Sequence, residues 1–202
     1  MNNKYAVLDF ETTGLSPNMG ARVTEVAVVI LHNGQVIDRY QSLINAGVRI
    51  PTEITQITGI TNAMVKSAPP VAQVMREVHA RTSDAVFVAH NASFDMKFLQ
   101  FEGSRLGLQF PSSACCTLLL ARRLYPHMPN HKLATLAAEL NISSGGAYHR
   151  ALVDTEVTAN LFMRIIEDLR HRAAGKVITT ALLQRLQKAK AADINTLLQR
   201  HC

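Results

Sequence analysis

Cysteine is scarce here: Cys115, Cys116 and Cys202 are the whole complement of a 202-residue chain, and none of their spacings suits a metal centre. Neighbouring cysteines such as 115 and 116 rarely bridge, because a disulfide holds its Cα atoms about 5.5–6 Å apart with a fixed dihedral. Reduced thiols in a cytoplasmic protein are therefore the expectation. Long apolar runs are missing too. The stretch 114–121 falls far short of the roughly 20 residues that cross a bilayer, and Met1-Asn2-Asn3-Lys4 carries no apolar leader, so no membrane partner is expected. Internal repeats and low-complexity segments are absent as well. What remains, 48% hydrophobic over the length of one ordinary domain, suffices for a full core.

Acid is nearly absent from the end of the chain. From Arg170 onward there are seven Lys or Arg and one acid, Asp193, which leaves 14 of the 21 basic and 14 of the 15 acidic residues in 1–169. The net charge of +6 thus resides in the tail, and the chain divides into a body, 1–172, and a basic helical extension, 173–202. Such an extension can engage a phosphate backbone, or it can be a solvated helix face. Thr179 or Thr180 can cap a helix with Ala181, Leu182, Leu183, Leu186 and Ala189 in apolar positions, and Asp193 another with Ile194, Leu197 and Leu198. Docking of these stripes on the body ranks ahead of pairing with a second copy as a homodimer or with a polymerase partner.

The acids that the body does hold form three islands. Asp9-Phe10-Glu11 closes the apolar run Tyr5-Ala6-Val7-Leu8, and residues two apart on a strand face the same way, so both carboxylates address one point. Two like charges at a half-buried strand end repel and resist desolvation unless a cation neutralises them, and hard oxygen ligands suit Mg2+ or Mn2+. Two solvated acids on an exposed strand end would read the same. In the second island, residues 85–89 form a short buried strand and Ser93 can cap a helix through Phe98, Leu99 and Phe101, with Asp95 in its first turn. Helix-dipole stabilisation alone would also put an acid there. The third island, His149 to Asp154, opens a long amphipathic helix marked by Leu152, Val153, Val157, Leu161, Phe162 and Ile165.

Asp9-Phe10-Glu11-Thr12-Thr13-Gly14, His90-Asn91-Ala92-Ser93-Phe94-Asp95, and His149 five residues before Asp154 together resemble the three motifs of the DnaQ-like exonucleases of the DEDDh subgroup. Ile57-Thr58-Gly59-Ile60-Thr61 is similar to a further segment of that family, and the chain is similar to the proofreading epsilon subunit of bacterial DNA polymerase III. The resemblance covers residues 5–160 and implies a ribonuclease-H-like α/β fold, a mixed five-stranded sheet flanked by helices. It implies two divalent metal ions, Mg2+ or Mn2+, with Asp9 bridging both, Glu11 and Asp154 completing one, Asp95 holding the other, and His149 as general base. Gly145 and Gly146 would let the His149 loop close on substrate. Thr12, Thr13 and Leu15 would surround the terminal nucleotide, and His90 and Asn91 of the second motif would also bind substrate. Phe94 and Phe98, four apart on one helix face, can stack on a base or pack on the sheet. His127 and His131 read as surface residues flanking Pro129.

The resulting expectation is a 3′-to-5′ exonuclease releasing nucleoside 5′-monophosphates from DNA, in replication or repair. An exoribonuclease trimming RNA ends is the alternative, and a non-catalytic nucleic-acid-binding subunit of a replication assembly is the alternative of another class. Periodicity predicts strands at 5–11, 22–31, 35–44, 85–89 and 113–117, with a hairpin turn at Asn33-Gly34. It predicts helices at 71–81, 94–106, 118–124, 132–140 and 150–171, with helical turns near 52–57 and 61–66.

Overall fold

The computed structural model describes residues 4–143 and 150–200. Its sheet has five strands: β1 (Lys4–Thr12), β2 (Val23–His32), β3 (Gln35–Leu43), β4 (Val86–Ala89) and β5 (Cys115–Cys116), in the order β3-β2-β1-β4-β5. The first three form an antiparallel meander, and β4 and β5 continue it in parallel with β1. Asn33 and Gly34 both take positive φ, 53° and 78°, the backbone that lets a two-residue hairpin match the twist of β2 and β3. The helices are α1 (Thr52–Thr58), α2 (Asn62–Lys66), α3 (Val71–Thr82), α4 (Ser93–Arg105), α5 (Thr117–Leu124), α6 (Leu133–Glu139), α7 (Ala151–Arg172), α8 (Thr180–Leu186) and α9 (Ile194–Arg200). Among the described residues, no helix is long and apolar enough to cross a membrane.

Alternation along β1 divides two cores. Ala6, Leu8 and Phe10 pack with Val74, Met75 and Val78 of α3 and with Phe98 and Leu99 of α4. Val7 points the other way, toward Leu120 of α5, Leu161, Phe162 and Ile165 of α7, and Leu182, Leu183 and Leu186 of α8. Odd-numbered residues of β1 therefore face α7, and Asp9 and Glu11 carry that side beyond the apolar core. β2 is buried over Val23–Leu31, covered on both faces, whereas β3 alternates as a border strand with one face in water.

Two local expectations are corrected. Ser93 does not cap α4: it is the first helical residue, and the N-cap position falls to Ala92, which offers no side-chain bond. Asn91 at φ 67° turns the chain early, so that the Phe94 amide donates to the Asn91 carbonyl at 2.8 Å and the helix starts one residue sooner. The last strand is shorter than 113–117, because Thr117 already opens α5 and residues 112 and 113 lie exposed.

The basic segment docks on the body. Thr179 caps α8, its hydroxyl accepting from the Leu182 amide at 3.2 Å, and the leucines of α8 with Ile194 and Leu198 of α9 enter the α7 core. Asp193 ends a short 3-10 turn, Ala191–Asp193, that leads directly into α9. Gln187 fixes the attachment. Its carbonyl accepts from the Cys116 amide at 2.8 Å and its amide donates to the Ala114 carbonyl at 3.1 Å, as a neighbouring strand would.

Candidate active site

Three carboxylates meet where β1 leaves the core. One oxygen each of Asp9, Glu11 and Asp154 lies within 4.8 Å of the others, and all three residues are half-buried. Asp9 and Glu11 reach the spot by strand parity, and Asp154 from the first turn of α7, which crosses that face of the sheet. Asp95 arrives from the other side, in the first turn of α4. It is 2% exposed, and its Oδ1 accepts from the Phe10 amide at 3.1 Å, which ties it to the backbone between the two β1 acids.

The carboxylates strain one another electrostatically. Burial first, then the charges of Asp95, Glu11 and Asp154, hold Asp9 well above the ordinary carboxylate range. Burial, then Asp154, Glu25 and Asp95, push Glu11 up to about 8, against a lowering pull from Arg150. Asp95 is raised by burial to about 7, with the Phe10 amide opposing. An all-oxygen donor set that resists its own ionisation fits a hard dication, whose charge offsets the repulsion.

A pH dependence follows. Groups with raised folded pKa values stabilise the metal-free fold when protonated, fully at pH values below their unfolded pKa values near 4, and this is lost as pH rises through about 7 and 8. His90 acts in the opposite direction only below its free value near 6.5, since burial lowers it to about 4. In chelator the protein should therefore melt higher at pH 6.5 than at pH 8.5, by a difference of ~2 kcal/mol. Magnesium or manganese should raise the pH 8.5 melting temperature more than the pH 6.5 one. Equal melting temperatures at both pH values in chelator would contradict this electrostatic account.

The residues expected to hold substrate are placed unequally. Leu15 is 79% exposed, and its carbonyl accepts from Lys97 at 2.9 Å. The Lys97 ammonium also lies 4.9 Å from the centre of the half-buried Phe94 ring, so Leu15, Lys97 and Phe94 form a shelf beside Asp95. Phe98 is fully buried and belongs to the core, so the two rings do not form a shared platform. Thr12 is buried and its hydroxyl donates to the Gly14 carbonyl, while Thr13 Oγ1 accepts from the Arg22 amide; both shape the turn after β1. Asn91 is exposed at the mouth of α4.

His90 is turned into the protein. Its Nε2 lies 3.0 Å from the His131 carbonyl and must carry the proton, so Nδ1 accepts from the Thr117 hydroxyl at 3.0 Å. Both ring nitrogens are used, and the imidazole stays neutral down to about pH 4. His131 is likewise engaged: its ring donates to the Tyr125 carbonyl at 3.0 Å within the α5–α6 loop and its own carbonyl takes the His90 bond, so it joins that loop to the turn after β4 instead of lying idle on the surface. His149, Gly145 and Gly146 lie outside the described residues.

Glu25 was not anticipated from sequence. It stands opposite Glu11 in the β1–β2 pairing and has no solvent exposure. The signal was a lone charge inside the apolar run Val23–Leu31, a position that requires a buried partner. That partner is Arg150, at 3.0 Å.

The comparisons agree with this geometry. A family model described as Exonuclease, RNase_T, matches residues 6–162. The DNA polymerase III PolC-type protein of Halalkalibacterium halodurans is 40% identical over 173 residues, 85% of this chain and 12% of that protein. The 3′-5′ exonuclease DinG of Bacillus subtilis is 37% identical over 196 residues, 96% of this chain and 21% of that protein. The chain thus spans 12% and 21% of the length of these relatives. Among solved structures, Exonuclease X in complex with 5′ overhanging duplex DNA aligns with a TM-score of 0.72 at 26% identity, covering 91% of this chain and 99% of that one. The nuclease domain of 3′hExo, a DEDDh family member bound to rAMP, shares the fold at a TM-score of 0.69 and 20% identity, covering 83% and 93%.

Proposed function

The chain belongs to the RNase_T exonuclease family, and from that premise we propose that it hydrolyses DNA stepwise from the 3′ end, releasing nucleoside 5′-monophosphates. The observation that carries this reading is the convergence of Asp9, Glu11 and Asp154 within 4.8 Å, with Asp95 pinned beside them. Asp9, Glu11 and Asp154 would hold one magnesium or manganese ion, and Asp9 with Asp95 a second. Bound there, the ions would polarise the scissile phosphate and lower the pKa of an attacking water. His149, whose free pKa near 6.5 suits proton transfer at neutral pH, would accept that water's proton, a contribution of about 10² to 10⁴ in rate. The shelf of Leu15 and Phe94 would receive the terminal base by a contact that every base can make.

A basic groove supports a nucleic-acid substrate. A cavity of about 440 Å³ lies past the C-terminal ends of β4 and β5, the end of the sheet at which Asp9 and Glu11 of the central strand also stand. Asn91, Ser93, Arg122, Gln184 and Lys188 contribute to its lining, which includes no acid among the described residues. A strand whose 3′ end sits at the acids could lay its upstream phosphates along this groove, and affinity would then fall steeply with salt. DNA is favoured over RNA because the PolC-type relative is named a DNA polymerase and the Exonuclease X structure contains duplex DNA.

Digestion of matched 3′- and 5′-labelled single-stranded DNA and RNA oligomers with magnesium, alongside Asp154→Asn, tests the reading. Stepwise loss from the 3′ end of DNA that disappears in the variant is the expected result. A preference for RNA would replace it with the exoribonuclease reading. Binding without cleavage of either would replace it with an accessory role.

A further inference from the structure

Glu25 is held by four hydrogen bonds from three residues. Its Oε1 accepts from the Gln41 amide of β3 at 2.8 Å and from Arg150 Nη2 at 3.0 Å. Its Oε2 accepts from Arg150 Nε at 3.4 Å and from the backbone amide of Ala151 at 3.1 Å. Ala151 is the first residue of α7, and Arg150, in the N-cap position, supplies no side-chain cap of its own. A carboxylate from the sheet thus does the work of an N-cap, satisfying an otherwise orphaned helix amide and meeting the positive end of a 22-residue helix.

The consequence falls on Asp154. It lies in the turn that Glu25 anchors, where its amide donates to the Arg150 carbonyl at 3.1 Å. Glu25 also stands directly across from Glu11. One residue therefore ties the strand pair bearing Asp9 and Glu11 to the helix turn bearing Asp154. We propose that Glu25 is a positioning residue for the hydrolytic site: through Ala151 and Arg150 it sets where the Asp154 carboxylate stands relative to Asp9 and Glu11. It does so without touching substrate, since its two oxygens are committed to Gln41, Arg150 and Ala151 and its side chain is buried.

The inference rests on the reading of this site as a metal-dependent nuclease, and two readouts keep the two separable. Glu25→Gln keeps the shape and one acceptor oxygen but removes the charge that holds Arg150. Its kcat on a single-stranded DNA oligomer should fall about 10–100-fold with KM within about twofold, and its affinity for manganese alone, measured calorimetrically without DNA, should fall by a similar factor. Arg150→Met removes the other half of the clamp at a side chain that is 43% exposed, so it should fold even if Glu25→Gln does not, and it should shift both quantities in the same direction. Combined, the two changes should cost little more than either alone. Glu102→Gln, altering a buried ion pair outside the site, should lower the melting temperature while leaving kcat unchanged below it. Values of kcat and manganese affinity within twofold of wild type in both Glu25→Gln and Arg150→Met would overturn the proposal. A wild-type protein that binds manganese but cleaves no DNA would overturn the nuclease reading instead, and the manganese affinities would still decide the role of Glu25.

Discussion

Asp9→Asn is expected to reduce hydrolysis by on the order of 10³-fold and, in the same protein, to raise the melting temperature measured in chelator. The two effects share one cause. Asp9 sits among Asp95, Glu11 and Asp154, and both its burial and their charges oppose its ionisation. The metal-free fold carries that repulsion as a standing cost, which an uncharged isostere removes. The same charge is what a dication needs, so its loss empties the site of the residue placed to face both β1 and α4 partners. Single-turnover digestion with magnesium and thermal melting in chelator read the two effects separately. Activity above a tenth of wild type, or a lower melting temperature in chelator, would show that the cluster is an ordinary solvated group of acids.

Glu102→Ala should destabilise the fold by about 3 kcal/mol without entering the chemistry. Arg22 Nε and Nη2 meet the two Glu102 oxygens at 2.7 and 2.9 Å, with side-chain exposures of 16% and 1%. Removing the acid strands a guanidinium whose remaining contact is a 3.4 Å bond to the Ala46 carbonyl. The pair also spans the molecule, since Glu102 is on α4 and the Arg22 backbone is bonded twice to Thr13 in the turn after β1. For a chain of this size the loss corresponds to a drop of roughly 6–12 °C in melting temperature. Replacing both partners by apolar residues, Arg22→Met with Glu102→Leu, should recover much of it, because the cost lies in the unpaired charge and not in the absence of the pair. If the double variant melts no higher than Glu102→Ala, packing and not charge is the cause.

Much of the site was legible because its geometry follows from two periodicities. Alternation in Tyr5–Leu8 places Asp9 and Glu11 on one side, and the stripe from Leu152 to Ile165 places Asp154 at the start of the helix above them. Elsewhere the chain carries no pattern to follow. β2 is apolar on both faces, so no alternation tells which core Glu25 addresses, and its partner Arg150 lies 125 residues away. His90 reads as part of a motif, but its orientation is decided by Thr117 and His131, which only the folded chain brings near. The start of α4 depends on a left-handed Asn91, a backbone choice that competes with the capping preference of Ser93. β5 is shorter than its sequence suggests, because the cysteines continue an apolar stretch that the chain abandons for α5 after two residues.

The amide of Gln187 has a consequence for solubility. A two-residue border strand exposes unpaired backbone groups that invite a foreign strand to join, and proteins guard such borders by covering or charging them. On the β5 side the guard is one side chain from the tail imitating a strand. On the β3 side it is charge, with Asp38 and Arg39 held by Arg81 and Glu156. A body shortened after residue 172 would keep all four acids and yet lose the guard on β5. It would also bare the side of the α7 core that Leu182, Leu183, Leu186, Ile194 and Leu198 cover, so its failure would take the form of self-association at high concentration with all four acids still in the chain.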